Sequence, residues 1–528
     1  MIFPSKKGKT PQNQPLPEQI ANQAGGFYYA LDDWIRLDRF LILGSDSGTY
    51  YVAPKQLTKD NAQLVVQLLK TDGIRVVERI VEMSSKGRAP KNDSALFALA
   101  LAAAADDVKT RQAALAALPK VARTGAHLLM FISFVHPLRG WGRSLRKAFA
   151  NWFLDMPVEN LSLQSVKYRQ RDGWSLRDTL RLSHVRPTEE KQTALIDWIV
   201  HPENPAAIAK AQENFRLITG FQKAKEAINA DVVAEIIREY SLPREAVPNQ
   251  HLNDVKVWDA LLVDMPMTAM IRNLGKMSQV DLLKPFSHAA TYVAKRLQDQ
   301  EQLKKARIHP IQLLIALRTY AQGRGELGSL AWTPVTAIIA ALNEAFDLAF
   351  KQVEPSGKRI LVGIDVSGSM QHVRCLGSSA LQAIEAASAM AALFVRTEKQ
   401  VHSITFDTQY YEFPITASQR LDDIIARIKQ WGGGTDISLP VKYALDKKVV
   451  VDVFVIITDS ETWAGREHPV QTLQEYRQRI NPKAKLVVLA TTANAGSIVE
   501  PNDPLSFGVA GFDANVPELV SDFIRQTV

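Results

Sequence analysis

Short apolar runs alternate with helix-like stretches from residue 358 onward, and this alternation constrains the fold more than any other feature of the chain. The runs are KRILVGID (358–365), VHSITF (401–406), VVVDVFVIIT (449–458) and AKLVVLAT (484–491), and the helix-like stretches between them include SALQAIEAASAMAALFV (379–395) and LDDIIARIKQ (421–430). Continuous apolar runs are typical of strands that are buried on both faces of a parallel sheet. We therefore predict a doubly wound α/β domain over residues 356–528.

Oxygen-bearing side chains lie where two of the predicted strands end and in a glycine-rich loop after a predicted helix. Ligands of open parallel sheets bind at the carboxyl ends of the strands, so we expect these side chains to converge there. Hydroxyl and carboxylate oxygens suit Mg²⁺, Mn²⁺ or Ca²⁺ rather than Zn²⁺. The residues are Asp365, Ser367 and Ser369 after the first strand, Thr435 after the glycines, and Asp459 after the third strand.

This arrangement, DxSxS at one strand end with a loop threonine and a second strand-end aspartate, is the pattern of a metal-ion-dependent adhesion site. The segment from 356 to 528 therefore resembles a von Willebrand factor A domain, and the resemblance implies a divalent cation, with Mg²⁺ first among the three. A cation held by neutral hydroxyls keeps an open position for an acidic side chain or a phosphate, which is ligand capture rather than catalysis. In the alternative, the serines form only a tight turn and both aspartates cap helices. Asp436 and Glu461 could be outer carboxylates of the site, but we interpret each as a solvated loop acid.

Apolar residues at three- and four-residue spacing predict helices from about residue 58 to residue 350. The chain of 528 residues is too long for one core, so a separate helical domain is expected. Helices of ten to fifteen residues without sustained heptads favour an α-solenoid of irregular HEAT-like pairs over a tetratricopeptide array. The candidate helices are 60–70, 74–83, 95–105, 111–118, 126–135, 142–153, 192–200, 231–240 and 335–346.

The first residues, MIFPSKKGKTPQNQPLPEQ, predict a disordered polar lead-in over 1–19 rather than a signal peptide, because no apolar stretch follows the basic ones. The longest apolar run, ALFALALAAAA (95–105), is about half of what a membrane-spanning helix needs. The one cysteine, Cys375, excludes an intramolecular disulfide. These features favour a cytoplasmic protein without a membrane segment.

Positive charge is concentrated in the helical part. From residue 356 to the end, the chain carries 17 Lys and Arg against 19 Asp and Glu, so this part is slightly acidic. The whole chain has 63 Lys and Arg against 55 Asp and Glu, a net charge of +8, so the excess positive charge lies entirely before residue 356. A basic domain joined to a slightly acidic one indicates a polyanionic partner for the first domain only.

The densest basic stretch covers residues 136–186, with ten Lys and Arg against four Asp and Glu. Two sets with i, i+4, i+7 spacing are each predicted to share a helix face, three more cations lie on the link between them beside Tyr168, and Trp141 and Trp174 interleave. Cations with nearby aromatics suit single-stranded or irregular RNA, whereas the alternative is a solvated helix face with the tryptophans in the core. The sets are Arg139, Arg143 and Arg146, then Lys167, Arg169 and Arg171, then Arg177, Arg181 and His184.

Long words in this region resemble the TROVE module of the Ro autoantigen family, RNA-binding proteins with bacterial relatives. They are GGFYYALDDWIRLDRFLILGSDSGTYYV (25–52), GRSLRKAFANWF (142–153), VKYRQRDGWSLRDTLRLSHVRP (166–187), MPMTAMIRNLGKM (265–277) and ARIHPIQLLIAL (306–317). The words span most of residues 20–320, and a helical module followed by an A-type domain is the architecture of the family. The resemblance implies a TROVE ring of HEAT-like repeats over 20–355, closed by the A-type domain.

The resemblance also implies a function. Ro proteins bind small noncoding Y RNAs on their basic outer surface and take single-stranded ends of misfolded RNA into the central hole. The RNA residues of the family's outer surface correspond to Lys167, Arg171 and His184, although a lone histidine is more often a packed or capping residue. Bacterial relatives are associated with exoribonucleases and with RNA turnover under stress, and the bound Y RNA can bridge the two. We therefore expect a monomeric ring that acts in RNA quality control and is not an enzyme.

Two alternatives remain open at this point. The A-type domain could bind an acidic partner through its cation, with the helical domain serving only as the platform of a protein-interaction scaffold. A metal-dependent nuclease is disfavoured, because the sequence suggests neither a carboxylate cluster for two metals nor a P-loop nor a catalytic triad. The residues that line the hole are not assigned by the sequence.

Overall fold

The computed structural model describes residues 9–44, 62–326, 328–349, 355–372, 380–428, 433–492, 494–511 and 516–525. Cys375 lies outside the described residues. A helical domain and an α/β domain follow one another in the chain, in the predicted order.

Antiparallel helices with short connections make up most of the first domain, as the three- and four-residue apolar spacing predicts. The helices are α1 (Asp33–Leu43), α2 (Gln63–Lys86), α3 (Asp93–Ala103), α4 (Val108–Val121), α5 (Gly125–Val135), α6 (Arg143–Asp155), α7 (Val158–Lys167), α8 (Leu176–Ser183), α9 (Glu190–Val200), α10 (Pro205–Asn214), α11 (Arg216–Glu226), α12 (Ala230–Tyr240), α13 (Val255–Val263), α14 (Met267–Gln279), α15 (His288–Leu297), α16 (Gln300–Lys305), α17 (Pro310–Ala321) and α18 (Thr336–Leu348).

Polar side chains at the starts of several helices satisfy backbone N–H groups that have no partner within the helix. Asp107 accepts from the backbone of Thr110 at the start of α4, and Ser175 forms a reciprocal capping box with Asp178 at the start of α8. The predicted helices 60–70 and 74–83 are two halves of α2, which is broken at Asp72 (φ −149°, ψ 72°). The next residue, Gly73, packs so closely against Thr110 that a Cβ would lie 2.2 Å from the hydroxyl oxygen.

Two short hairpins accompany the helices of the first domain, and the apolar spacing did not predict them. The first joins β1 (Gln19–Ala21) to β2 (Phe27–Ala30), and the second joins β3 (Gln170–Arg171) to β4 (Trp174–Ser175). Asp172 and Gly173 form the two-residue turn of the second hairpin with positive φ angles of 51° and 80°. This turn places Arg171 next to the tip of the hairpin.

A six-stranded sheet forms the second domain, in the order β11-β9-β8-β5-β6-β7. Its strands are parallel except β7, which pairs antiparallel with β6 at one edge. The elements are β5 (Arg359–Asp365), α19 (Gly368–His372), α20 (Ala383–Thr397), β6 (Gln400–Phe406), β7 (Tyr410–Glu412), α21 (Leu421–Arg427), α22 (Leu439–Asp446), β8 (Val453–Thr458), α23 (Pro469–Arg479), β9 (Lys485–Ala490), β10 (Gly496–Ser497), β11 (Ser506–Ala510) and α24 (Val516–Arg525).

Alternate residues of the central strand β5 enter two different apolar cores. Ile360, Val362 and Ile364 pack on the side of α20, whereas Leu361 packs with α22 and α23 on the other side. Both faces are therefore covered, as the continuous apolar runs predict. The first of these cores is continuous with the core of the helical domain, so one apolar interior joins the two domains.

Residues 9–30 tie the beginning of the chain to the α/β domain. Strand β2 pairs antiparallel with β10, and Arg39 of α1 is almost fully buried and donates to the carbonyl oxygens of Asn494 and Gly496. Gln12 is completely buried against the same domain. The prediction of a disordered lead-in over 1–19 is therefore wrong for residues 9–19, and residues 1–8 lie outside the described part of the chain.

Candidate functional site

The carboxyl ends of β5 and β8 bring the two strand-end aspartates to one place. Asp365 is fully buried and accepts from the backbone N–H of Ser367 at 2.9 Å and from the hydroxyl of Thr458 at 2.6 Å. Asp459 follows β8 directly and accepts from the backbone N–H of Glu461 at 3.0 Å. Since β5 and β8 are neighbouring parallel strands, both carboxylates lie at the same edge of the sheet.

Hydroxyl groups complete this cluster. The Oγ atoms of Ser367 and Ser369 are 3.2 Å apart, and Ser369 is hydrogen-bonded to Asp459. Thr435 is buried and lies with Ser369 and Asp459 in the lining of one cavity of about 290 Å³. All five predicted residues therefore come together, with Asp365 and Ser367 buried behind the lining.

The electrostatics of the cluster fit a divalent cation. Burial, followed by the charge of Asp459, raises the pKa of Asp365 to about 7, and burial raises the pKa of Asp459. Among the described residues, no Lys or Arg forms an ion pair with either carboxylate. Two buried carboxylates beside three hydroxyls form an all-oxygen donor set of the kind that Mg²⁺, Mn²⁺ or Ca²⁺ prefers. The hydrogen bonds of a tight turn are also present, from the backbone of Ser367 to Asp365 and from that of Glu461 to Asp459. They leave oxygen lone pairs of both carboxylates available to a cation.

The acids Asp436 and Glu461 are not solvated loop residues. Asp436 is buried and accepts from the side chains of Gln12 and Ser438 at 2.7 and 2.5 Å. Glu461 lines the cavity, and burial together with the charge of Asp459 raises its pKa to about 7. Both acids therefore belong to the surroundings of the cluster, and their interpretation as solvated loop acids is wrong.

The hairpin β3–β4 and its flanking helices carry the predicted basic side chains. Lys167 ends α7, Arg171 lies in β3, and Arg177 and Arg181 point outward from α8. Burial, and then the positive charges of Arg123 and Arg171, lower the pKa of His127 in α5 to about 4. Arg171 of the hairpin therefore lies close enough to His127 to disfavour its protonated form.

Few acidic partners offset this charge. Arg171 pairs with Asp172 at 3.4 Å, but Lys167, Arg177 and Arg181 have no carboxylate within ion-pair distance in the described part of the chain. Arg169 instead places its guanidinium 5.3 Å from the centre of the Phe221 ring, and Lys167 lies 5.5 Å from that of Tyr168. We call the exposed or half-buried side chains of Arg143, Arg146, Lys167, Arg169, Arg171, Arg177, Arg181 and His184 the basic surface.

Two details of the predicted helix faces are wrong. Arg139 precedes α6, which begins at Arg143, and it donates to the carbonyl oxygen of Ala103 at the end of α3. It therefore satisfies a helix terminus and does not share a face with Arg143 and Arg146. His184 lies beyond the last turn of α8 as its C-cap, with a left-handed φ of 52°, but its side chain is exposed rather than packed.

The two tryptophans hold the basic surface to the core. Trp141 and Trp174 are half-buried, and their ring centres lie 5.7 Å apart. Trp141 also contacts Phe149, and Trp174 contacts His136 in an edge-to-face geometry. Their main role is therefore structural, as in the alternative interpretation of this segment.

A cavity of about 760 Å³ lies between α14, α17, the segment before α13 and the loop before α3. Burial, and then the charge of Arg244, lower the pKa of Lys276, and Trp332 stacks on Tyr320 with ring centres 6.0 Å apart. The sequence did not assign these residues, although two of the words that resemble TROVE, 265–277 and 306–317, supply much of the lining. The cationic lining residues are Lys91, Arg244, Arg272 and Lys276.

The basic surface and the cavity are neighbours. Asp93, at the start of α3, lies within electrostatic range of both Lys91 and Arg171. Lys91 lines the cavity and Arg171 belongs to the basic surface. Arg171 of the basic surface and Lys91 of the cavity lining therefore both lie near Asp93. In the described residues, no helix combines the length and apolar character that crossing a membrane requires.

Comparison with known proteins agrees with this architecture. The model of the TROVE domain matches residues 20–319, and that of the Ro60 vWA domain matches residues 359–524. An RNA-binding protein RO60 of Deinococcus radiodurans is 38% identical over 522 residues, which cover 98% of each chain. An RNA-binding protein RO60 of Caenorhabditis elegans is 32% identical, over 96% of this chain and 90% of the relative.

A solved structure extends the similarity to three dimensions. The crystal structure of the Deinococcus radiodurans RO (RSR) protein superposes with a TM-score of 0.71 at 38% identity, over 94% of this chain and 99% of the other. Both domain matches and both relatives point the same way. The chain thus belongs to the Ro60 family of proteins, with a TROVE domain followed by a von Willebrand factor A domain.

Proposed function

We propose that the chain is an RNA-binding protein that holds small noncoding Y RNA on the basic surface and takes single-stranded ends of misfolded RNA into the ring. The observation that carries the proposal is the row of exposed or half-buried cations on α7, the β3–β4 hairpin and α8, of which only Arg171 has a carboxylate partner among the described residues. Unpaired cations are free to neutralise phosphates and release counterions, which is the main source of affinity for a nucleic acid. The names of the two relatives support the same conclusion.

The cavity between α14 and α17 suits a single strand better than a duplex. Its four cations face a volume of about 760 Å³, and the half-buried Trp332 adds aromatic surface. Unstacked bases gain free energy on aromatic side chains, while a duplex keeps its bases stacked inside. We assign this cavity to the single-stranded end, and the basic surface to structured RNA.

The cation site is an accessory in this proposal. Asp365, Ser367, Ser369, Thr435 and Asp459 would hold Mg²⁺, or Mn²⁺ or Ca²⁺ in its place, and the cation would supply positive charge at the carboxyl edge of the sheet. It lies in the other domain from the basic surface, so RNA affinity is not expected to depend on it.

The wider role that we propose is RNA quality control and RNA turnover under stress, in the cytoplasm. The protein acts as a monomeric ring without catalysis of its own, and an exoribonuclease is joined to it through the bound RNA. RNA that is incubated with the protein and Mg²⁺ should therefore remain intact, whereas cleavage would contradict the non-catalytic role.

The second candidate function is a protein-interaction scaffold in which the A-type domain captures an acidic partner through its cation. The oxygen-rich cavity at Ser369, Thr435 and Asp459 is the observation that favours it. Extraction and sequencing of copurifying nucleic acid separates the two candidates. Structured small RNA in the extract supports the first, and protein free of nucleic acid supports the second.

A filter-binding titration tests the assignment of the surface. The triple variant Lys167→Ala, Arg171→Ala, His184→Ala should bind structured RNA much more weakly than the wild type. The matched control removes three exposed lysines that already have acidic partners, Lys256, Lys284 and Lys304. Equal affinity of the first triple variant and the wild type would overturn the assignment of the surface.

A further inference from the structure

An N-terminal strap, residues 9–26, crosses the α/β domain beside the cation site. Its first anchor is Gln12, which is completely buried. The Nε2 of Gln12 donates to Asp436 at 2.7 Å and to the carbonyl oxygen of Glu467 at 2.8 Å, and Thr462 donates to its Oε1. A buried amide with its polar groups satisfied in this way is costly to displace.

The second anchor lies at the other end of the strap. Asn22 donates to the carbonyl oxygen of Thr462 at 2.7 Å, and its own Oδ1 accepts from the backbone of Ala24 and Gly26. Gly26 approaches so closely that a Cβ would lie 1.9 Å from the Thr462 carbonyl oxygen. The strap is therefore fixed at both ends against the loop that follows β8.

Between the anchors, the strap meets the surroundings of the cation site directly. The backbone N–H groups of Gln23 and Ala24 donate to Glu461 at 3.0 and 3.1 Å, and Asn494 donates to the same carboxylate at 2.6 Å. Asn494 also accepts from Arg39 through its backbone carbonyl. The strap and α1 thus hold one wall of the site from the side of the helical domain.

This wall limits what can reach a bound cation. Gln23 and Ala24 line the same cavity of about 290 Å³ as Ser369, Thr435 and Asp459. The face of a folded partner needs about 800 Å² of free surface, whereas a cavity of roughly 300 Å³ is at the lower limit for small ligands. The strap covers the protein surface next to the site that such a partner would have to contact.

We propose that the N-terminal strap restricts the cation to carboxylates on small molecules or on single extended side chains and excludes the acidic face of a folded protein. The inference rests on the cation site of the proposed function. It gives the site a ligand class and disfavours folded acidic partners as targets of this domain.

The test uses Mn²⁺ as the cation and the full-length protein. Water-proton relaxation reports the water molecules on bound Mn²⁺, and displacing some of them by a ligand should lower the enhancement by about twofold. The ligands are acetate, pentaglutamate and a designed helical bundle with a glutamate-rich face. In the wild type, acetate and pentaglutamate should lower the enhancement and the bundle should not. Asp365→Asn provides the background.

A strap-release variant, Gly26→Val with Gln12→Ala, should make the bundle as effective as acetate. Hydrogen exchange over residues 9–26 verifies that the strap has been released, and a melting curve verifies that the protein is folded. If this variant does not fold, Asn22→Ala takes its place. A wild-type response to the bundle that equals the response to acetate would overturn the role of the strap alone. Absence of Mn²⁺ binding would overturn the cation site and, with it, this inference. If pentaglutamate lowers the relaxation enhancement and acetate does not, the ligand is the side chain of a partner and not a small molecule.

Discussion

The Nε2 of Gln312 in α17 donates to the carbonyl oxygen of Pro90, just before α3, at 2.5 Å, although 222 residues separate them. This bond joins the last part of the helical domain to its first part, next to the cavity that Gln312 also lines. The end of the helical domain therefore contacts its beginning, which closes the ring. The contact lies beside the cavity that we assign to single-stranded RNA.

Removing this closing bond should loosen the ring. We expect Gln312→Leu to lower the free energy of unfolding by about 1 kcal/mol, because it leaves a half-buried carbonyl without its donor. Amide exchange in α3 and α17 should quicken relative to the rest of the helical domain. Gln298→Leu, which removes an exposed bond to Glu344, is the control and should change neither quantity. If amide exchange in α3 and α17 does not quicken relative to the rest of the helical domain in Gln312→Leu, this bond does not close the ring.

The local elements were predictable because local patterns determine them. The apolar runs that end in Asp365 and Thr458 are strands, and the five oxygen-bearing side chains do converge. Arg139 shows the limit of such patterns. Its spacing fits the helix face of Arg143, but Gly142 is the N-cap and α6 begins at Arg143, so the predicted face extends about one turn beyond the helix.

Contacts between distant segments could not be predicted from periodicity or composition. Nothing in the sequence around Gln12 distinguishes a buried anchor from a solvated tail, and its partners lie more than 420 residues away. The buried position of Arg39 has the same origin, since the carbonyl oxygens that it contacts belong to the other domain. These pairings depend on tertiary packing, which a single sequence does not show.

Arg139 and Arg143 should separate stability from RNA affinity. Arg139→Ala should cost about 1 kcal/mol of unfolding free energy, because the end of α3 loses a charged donor, and should change RNA affinity little. Arg143→Ala should do the reverse, because the side chain is exposed and has no acidic partner within the described residues. Denaturant unfolding and filter binding measure the two effects. Similar behaviour of both variants would return Arg139 to the basic surface.

The basic surface should make binding of structured RNA steeply dependent on salt. Each cation that contacts a phosphate adds about 0.7–0.9 to the slope of log affinity against log salt. Arg177→Gln with Arg181→Gln should therefore reduce the slope and weaken binding to different RNA sequences alike. Lys256→Gln with Lys284→Gln is the matched control. An unchanged slope would place α8 outside the interface.

The cavity should act on single-stranded ends and not on structured RNA. Arg272→Gln with Lys276→Gln removes two of its four cations, so we expect weaker binding of an RNA with a single-stranded tail. Binding of the same RNA without the tail should be unchanged, and Trp332→Leu should have a similar but smaller effect through lost stacking. Titrations with the two RNAs measure the difference. Equal losses for both RNAs would mean that the cavity does not distinguish them.

The cation should stabilise the protein more at neutral and alkaline pH than in acid. In the metal-free protein the folded-state pKa of Asp365 is raised to about 7, whereas an unfolded aspartate has a pKa of about 3.9. The unfolded chain therefore loses this proton first as pH rises, and the stability that Asp365 contributes at low pH is lost between about pH 4 and pH 7. A cation binds the ionised carboxylates and restores that stability, so the rise in Tm with Mg²⁺ over EDTA should be larger at about pH 8 than at about pH 5.

Asp365→Asn should abolish the Mg²⁺ effect at both pH values and leave RNA affinity nearly intact. A Tm rise that is independent of pH, or that survives in Asp365→Asn, would place the cation elsewhere, and a large loss of RNA affinity would show that the two domains are coupled.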